Sequence, residues 1–159
     1  MFNIQFLSST GKKTDLLNQN SFEVQSFCKS IDWLQEWKNY YYAYRSDENL
    51  SYEDYWYLDL SDVDNKRNLN VFSNYIDERN LHNENLSLIV TLSWYHLESS
   101  CWFTKLITGK AEQKVWDARH ANEILIQDLS QIVKWFLEGD LIQLNSILPN
   151  EGEHQFDVD

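Results

Sequence analysis

Glycine and proline are nearly missing from this chain, which holds four of the first and one of the second in 159 residues. All-β domains use turn residues freely, so the scarcity speaks for long helices with few breaks. Gly11, Gly109, Gly139 and Gly152 are also far apart. That spacing excludes a phosphate-cradling loop and a dinucleotide fingerprint, both of which need glycines where backbone meets ligand. Cysteine is almost as rare. Cys28 and Cys101 cannot build a disulfide framework, and neither Cys-x-x-Cys nor Gly-x-Ser-x-Gly occurs. No apolar run reaches the ~18 residues of a membrane span. Residues 1–9 lack the basic start and long apolar stretch of a signal peptide. The expected compartment is the cytoplasm.

Positive charge is the other deficit. Thirteen basic residues face 25 acidic ones, a formal charge of −12. Such a surface repels nucleic acid and anionic lipid, and it attracts basic partners. Neither nucleic acid nor membrane is therefore an expected partner.

What the chain has in quantity is large rings. Aromatics make up 15%, with seven Trp and nine Tyr, more than a core of this size obviously needs. Rings beyond that need suit interfaces, because they bury much area at little entropic cost. The hydrophobic fraction of 43% supports one packed domain over 1–159, with 1–20 and 150–159 read as flexible ends.

Along the chain, Phe2, Ile4 and Phe6 alternate like a short strand, and Gly11, Lys12 and Lys13 read as a turn. Val24, Phe27, Ile31, Leu34, Lys38 and Tyr41 recur at helical steps over 21–45, with a break expected near 27–30. Trp56, Leu58 and Leu60 alternate as a strand would, although Ser51 followed by Asp54 looks like a helix start; both assignments stay open. Residues 61–68 read as a polar loop, and Leu69, Phe72 and Arg79 suggest a further helix. Asn85 can cap a helix over 86–108 that Gly109 stops, with a buried strand over 86–92 as the rival. Val115, Ala118, Asn122, Leu125, Leu129, Ile132 and Phe136 keep a 3-4 rhythm, which predicts a helix over 111–138. Gly139 stops it, Asp140 caps the next, and a short helix over 141–148 precedes Pro149. The expected fold is mostly α: a five- or six-helix bundle with room for one or two short strands in the N-terminal half, α+β being the alternative.

Candidate chemistry is thin. On the expected helices, His120 and Glu123 stand three residues apart, Glu112 lies earlier, and His96 sits on the preceding helix. A di-iron bundle needs Glu-x-x-His from two helices, whereas His-x-x-Glu occurs here once. Asp59, Asp62, Asp64 and Asn65 lack the glycine and closing glutamate of a calcium loop. Cys101 reads as a buried thiol, since His96, five residues away, is badly placed to activate it. No catalytic residue, metal ligand or cofactor is expected.

The informative segment is 40–64, where Tyr40, Tyr41, Tyr42 and Tyr44 run into acid interleaved with more rings. A helix buries one side, so part of this cluster should reach the surface beside carboxylates. The expected partner-binding residues are Asp47, Glu48, Tyr52, Glu53, Asp54, Tyr55, Trp56, Tyr57, Asp59, Asp62 and Asp64. Rings would anchor a basic protein while the acids speed encounter.

A small, acidic, ring-rich domain of this kind resembles the immunity proteins of bacterial toxin systems. The stretch Trp135, Phe136, Leu137, Glu138, Gly139 and Asp140, leading into 141–148, is similar in style to the helical families among them. The resemblance is one of class. It implies a stoichiometric inhibitor, without turnover, that occludes a cognate basic toxin such as a nuclease. Two other readings are an acidic nucleic-acid mimic of the anti-restriction or anti-CRISPR type, and a helical metalloenzyme using His96, Glu112, His120 and Glu123.

Overall fold

A computed structural model of the chain describes residues 1–46, 56–73, 87–99, 112–151 and 155–156. It overturns the helical bundle: the fold is α+β, built on one antiparallel sheet. The elements in order are β1 (Phe2–Leu7), β2 (Lys13–Gln19), α1 (Ser21–Ser30), α2 (Trp33–Ser46), β3 (Tyr57–Asp62), β4 (Arg67–Ser73), β5 (Ser87–Ser99) and β6 (Glu112–Leu125). A 3₁₀ turn (Ile126–Asp128) leads into α3 (Leu129–Glu138) and α4 (Leu141–Ile147), and two-residue strands β7 (Asn150–Glu151) and β8 (Gln155–Phe156) follow. The sheet order is β2-β1-β3-β4-β5-β6, and β7 and β8 both pair with β6.

Register decides what is buried. Across β1, β3, β4, β5 and β6 the row Phe6, Leu58, Val71, Val90, Ala121 is apolar throughout, and Ile4, Leu60, Leu69, Leu92 lie beside it. Both sets point to one face, because side chains alternate along a strand. Helices cover that face with Val24 and Cys28 of α1, Trp37, Tyr40 and Tyr41 of α2, Leu129, Ile132, Val133 and Phe136 of α3, and Leu144 of α4. Full burial of such a side chain contributes about 1.5–3 kcal/mol, so the two-layer core is the main source of stability.

The helices themselves form largely where the sequence places them. Asn20 caps α1 by accepting from the Phe22 and Glu23 amides, and Glu23 accepts back from the Asn20 amide at 2.7 Å. Gly139 closes α3 at φ +74°, a conformation suited to glycine, and Asp140 caps α4 by accepting from the Gln143 amide. The expected helices over 86–108 and 111–138 fail at β5 and β6, and the one from Leu69 fails at β4. In β6 the core-facing positions include Asp117 and Arg119, paired with Trp94 and Leu92. Those two polar residues hide the strand alternation and leave an accidental helical rhythm.

The scarcity of glycine does not exclude turns here. The left-handed positions at Asn18 (φ 57°) and Lys66 (φ 55°) are filled without glycine. Asparagine adopts that region readily and lysine does so seldom. Lys66 ends the turn between β3 and β4, its carbonyl accepts from the Tyr95 amide at 3.2 Å, and its ammonium lies 5.3 Å from the Tyr95 ring centre. Burial pushes the Cys28 thiol up to about 12, with a backbone hydrogen bond pulling the other way, so this cysteine is a core residue. Cys101 lies outside the described residues.

Candidate functional site

Asp47, Glu48, Tyr52, Glu53, Asp54 and Tyr55 lie outside the described residues. The other five predicted site residues do not share one outer face, because β3 is pleated. Trp56 is 0% exposed and packs on Trp33, ring centres 5.6 Å apart. Asp62 is buried on the same side and pairs with Arg67. Tyr57 and Asp59 point the opposite way, half-buried, and Asp64 is exposed in the turn. Of the upstream tyrosines, Tyr40 and Tyr41 are core, Tyr41 stacking on Trp37, and Tyr42 is exposed.

The second face of the sheet is the larger feature. Every strand residue that packs with the helices belongs to the other parity, so no described helix lies over this face. Its central row is Gln5, Asp59, Asn70, Thr91, His120, with Asn3, Ser61, Asn68, Ser93, Ala118 alongside. One end is apolar, with Leu7, Tyr57, Phe72 and Ile89 in register. At the other end Tyr95 and Trp116 sit opposite each other on β5 and β6, ring centres 5.0 Å apart. The face is thus a polar strip of amides and hydroxyls between two groups of half-buried rings, held by strands on a rigid scaffold. Sequence reasoning missed Phe72, Thr91, Tyr95 and Trp116 as half-buried members of this face. The signal was their period-two placement, which the helical reading erased.

Within the strip, Asn70 Nδ2 donates to Asp59 Oδ1 at 2.6 Å. Burial raises the Asp59 carboxyl above its ordinary value, and the Asn70 bond offsets part of that rise. A folded pKa above the unfolded one means that ionised Asp59 weakens the fold at neutral pH. The weakening fades as pH falls through the raised folded value and is gone below the unfolded value of about 3.9. Asp59→Asn is therefore expected to raise the melting temperature at pH 7 and to lose that advantage in acid. Equal gains at both pH values would contradict the desolvation argument.

Proton sharing between Asp59 and His120 is excluded by distance, since three strand spacings separate them, roughly 14 Å. His96 and His120 stand at positions of opposite parity on the β5–β6 ladder and point to opposite faces. The helical spacing of His120 and Glu123 does not exist on β6, where the register also shifts at 122–123. His96 Nδ1 instead lies 3.3 Å from Asp117 Oδ2. Among the described residues no three His, Cys, Asp or Glu side chains come together.

A groove of about 610 Å³ opens at the end of the sheet where β3 turns into β4, bounded by the α3–α4 corner. Asp62 and Asp64 line it with Arg67, Trp94, Leu137 and Leu141. Burial would push the Asp62 carboxyl up, but hydrogen bonds from Arg67 and Asn65 and the guanidinium charge outweigh it and hold it below the usual range. A smaller cavity of about 250 Å³ lies between α1 and α3 over Cys28, Leu129 and Val133. No described helix is long and apolar enough to cross a membrane.

No family model, curated protein or solved structure matches this chain.

Proposed function

We propose that this chain is a stoichiometric protein inhibitor of the immunity type, and that it takes a basic toxin domain on the open face of its sheet. The observation that carries the reading is that face itself: rings at both ends of a hydrogen-bonding strip, uncovered by any described helix, on a molecule of charge −12. Protein interfaces draw on both aromatic anchors and hydrogen-bonding groups. Strands fix Tyr57, Phe72, Tyr95 and Trp116 in place, so little side-chain entropy is lost on docking. The net negative charge draws a basic partner in and supplies association rate more than affinity. Inhibition then needs no chemistry from the chain, only a fit that covers the partner's working surface.

The test is to look for a secreted toxin domain encoded beside this chain's gene and to co-express the two. Growth protection and a one-to-one complex on size exclusion are expected. Trp116→Ala and Tyr57→Ala are each expected to speed dissociation by about tenfold or more, the usual range for an aromatic anchor, with melting curves confirming the fold. Added salt is expected to slow association and leave dissociation nearly unchanged. Protection and affinity that survive both replacements in folded protein would place the interface elsewhere.

A further inference from the structure

We infer that the groove at the end of the sheet binds an organic monocarboxylate with an apolar body, held through the guanidinium of Arg67. The inference does not rest on the inhibitor reading: Arg67 belongs to the helix side of the sheet, although Tyr95 of the open face also borders the groove.

Arg67 is a charged side chain only 10% exposed. Its Nη2 donates to Asp62 Oδ2, which also accepts from Asn65 Nδ2 at 2.8 Å. Its Nε is buried and has no hydrogen-bond partner among the described residues. Nη1 points toward Gly139, where an added Cβ would stand 3.5 Å away. Phe136 backs the guanidinium, with the ring centre 5.6 Å from Cζ. A guanidinium carries five N–H donors in a fixed fork, and a buried donor without an acceptor is costly. Asp62 engages Nη2 and Nε is enclosed by protein, so Nη1 is the corner of the fork left for an acceptor in the groove.

The surroundings narrow the class of that acceptor. Phe2, Trp94, Leu137 and Leu141 wall the groove with apolar and aromatic surface, which suits a hydrocarbon or ring body. Asp64 and Glu138 also line it, Asp64 pairing with the Met1 amino group. Those carboxylates repel a dianion such as phosphate. A single carboxylate has the flat two-oxygen geometry that matches a guanidinium edge and adds only one charge. The volume of about 610 Å³ falls within the range of small-molecule sites, ~300–1,000 Å³.

The experiment is ¹H–¹⁵N NMR on the full chain titrated with phenylacetate and indole-3-acetate. The matched alcohols, 2-phenylethanol and tryptophol, and inorganic phosphate serve as controls. Saturable shifts are expected at the Trp94 indole N–H, assigned with Trp94→Phe, and at Leu137 and Leu141. The acids should bind about tenfold or more tightly than the alcohols, as expected where a buried donor seeks its acceptor. Leu141→Trp, at the exposed rim, fills the groove without touching the ion pair and should abolish the shifts. Arg67→Lys keeps the charge facing Asp62, loses the fork, and should weaken the acids alone. Alcohols or phosphate binding as well as the acids, shifts only outside the groove, or no saturable shift with either acid would overturn the proposal. Arg67 would then be a structural partner of Asp62 and nothing more.

Discussion

Trp56→Ala is expected to destabilise the protein by about 3–5 kcal/mol, the range for deleting a large buried ring, against the ~5–15 kcal/mol that holds a typical domain together. Trp56 is fully buried just before β3, and it sits in a chain of rings rather than in isolation. Its ring meets Trp33 of α2, Trp33 meets Phe6 of β1 at 6.2 Å, and Phe6 meets Phe27 of α1 at 5.9 Å. Trp33 Nε1 also donates to the Cys28 carbonyl at 3.1 Å, tying the two helices to each other. Removing the Trp56 ring opens a cavity beneath Trp33, where α2 rests on the sheet. Trp56→Phe should be far milder. Trp56 Nε1 is buried without an acceptor among the described residues, so phenylalanine removes an unsatisfied donor along with part of the ring. Urea unfolding of the three proteins checks this, and an alanine variant as stable as the parent would remove Trp56 from the core.

Arg67→Ala should cost a similar amount, about 3–5 kcal/mol, because it strands a buried carboxylate. Asp62 is 2% exposed in its side chain, so in the parent its charge is balanced by the guanidinium rather than by water. In the parent, Asp62 has a folded pKa below its unfolded value of about 3.9. Its contribution is therefore complete above that unfolded value and is lost as pH falls through the folded one. Arg67→Ala reverses the sign: without its partner the carboxyl is pushed upward by burial, and the variant should gain stability on mild acidification. The double change Asp62→Leu with Arg67→Met should recover most of the loss at pH 7, since an apolar pair of similar size avoids desolvating two charges. A variant whose pH profile runs parallel to the parent's would show that the pair is uncoupled from folding.

The C-terminal half of the helical layer was legible from residues alone, as was β1. Leu129, Ile132, Val133 and Phe136 repeat at helical steps, and Gly139 and Asp140 carry the stop and the cap in their own chemistry. The break near 27–30 was nearly right, since α1 ends at Ser30 and α2 begins at Trp33. β6 was not legible, and β5 only as the strand over 86–92 that rivalled a helix. Their partners are distant in sequence, and their burial follows the position of a cross-strand neighbour rather than any local period. Leu88, Val90 and Leu92 do alternate, but Ile89 and Tyr95 on the other face make the run look apolar all round. The candidate surface was half legible. Tyr57 and Asp59 were singled out and share the open face, whereas Trp56 and Asp62 were singled out and point the other way. A pleat turns four neighbours into two pairs facing opposite directions, and composition holds no trace of that.

The place of β1 in the sheet shapes how the chain reaches its fold. Phe2 is registered with Gln19 on one side and with Asp62 on the other, so the hairpin partner is near and the interior partner is far along the chain. Phe2 also packs on Phe136 of α3, so its side chain is covered only when a segment far along the chain arrives. The rate-setting event is then a search for distant partners, which makes refolding slow for a domain of this size. Overproduction in warm cells would stretch that interval for many copies at once, and insoluble material is the outcome to expect there.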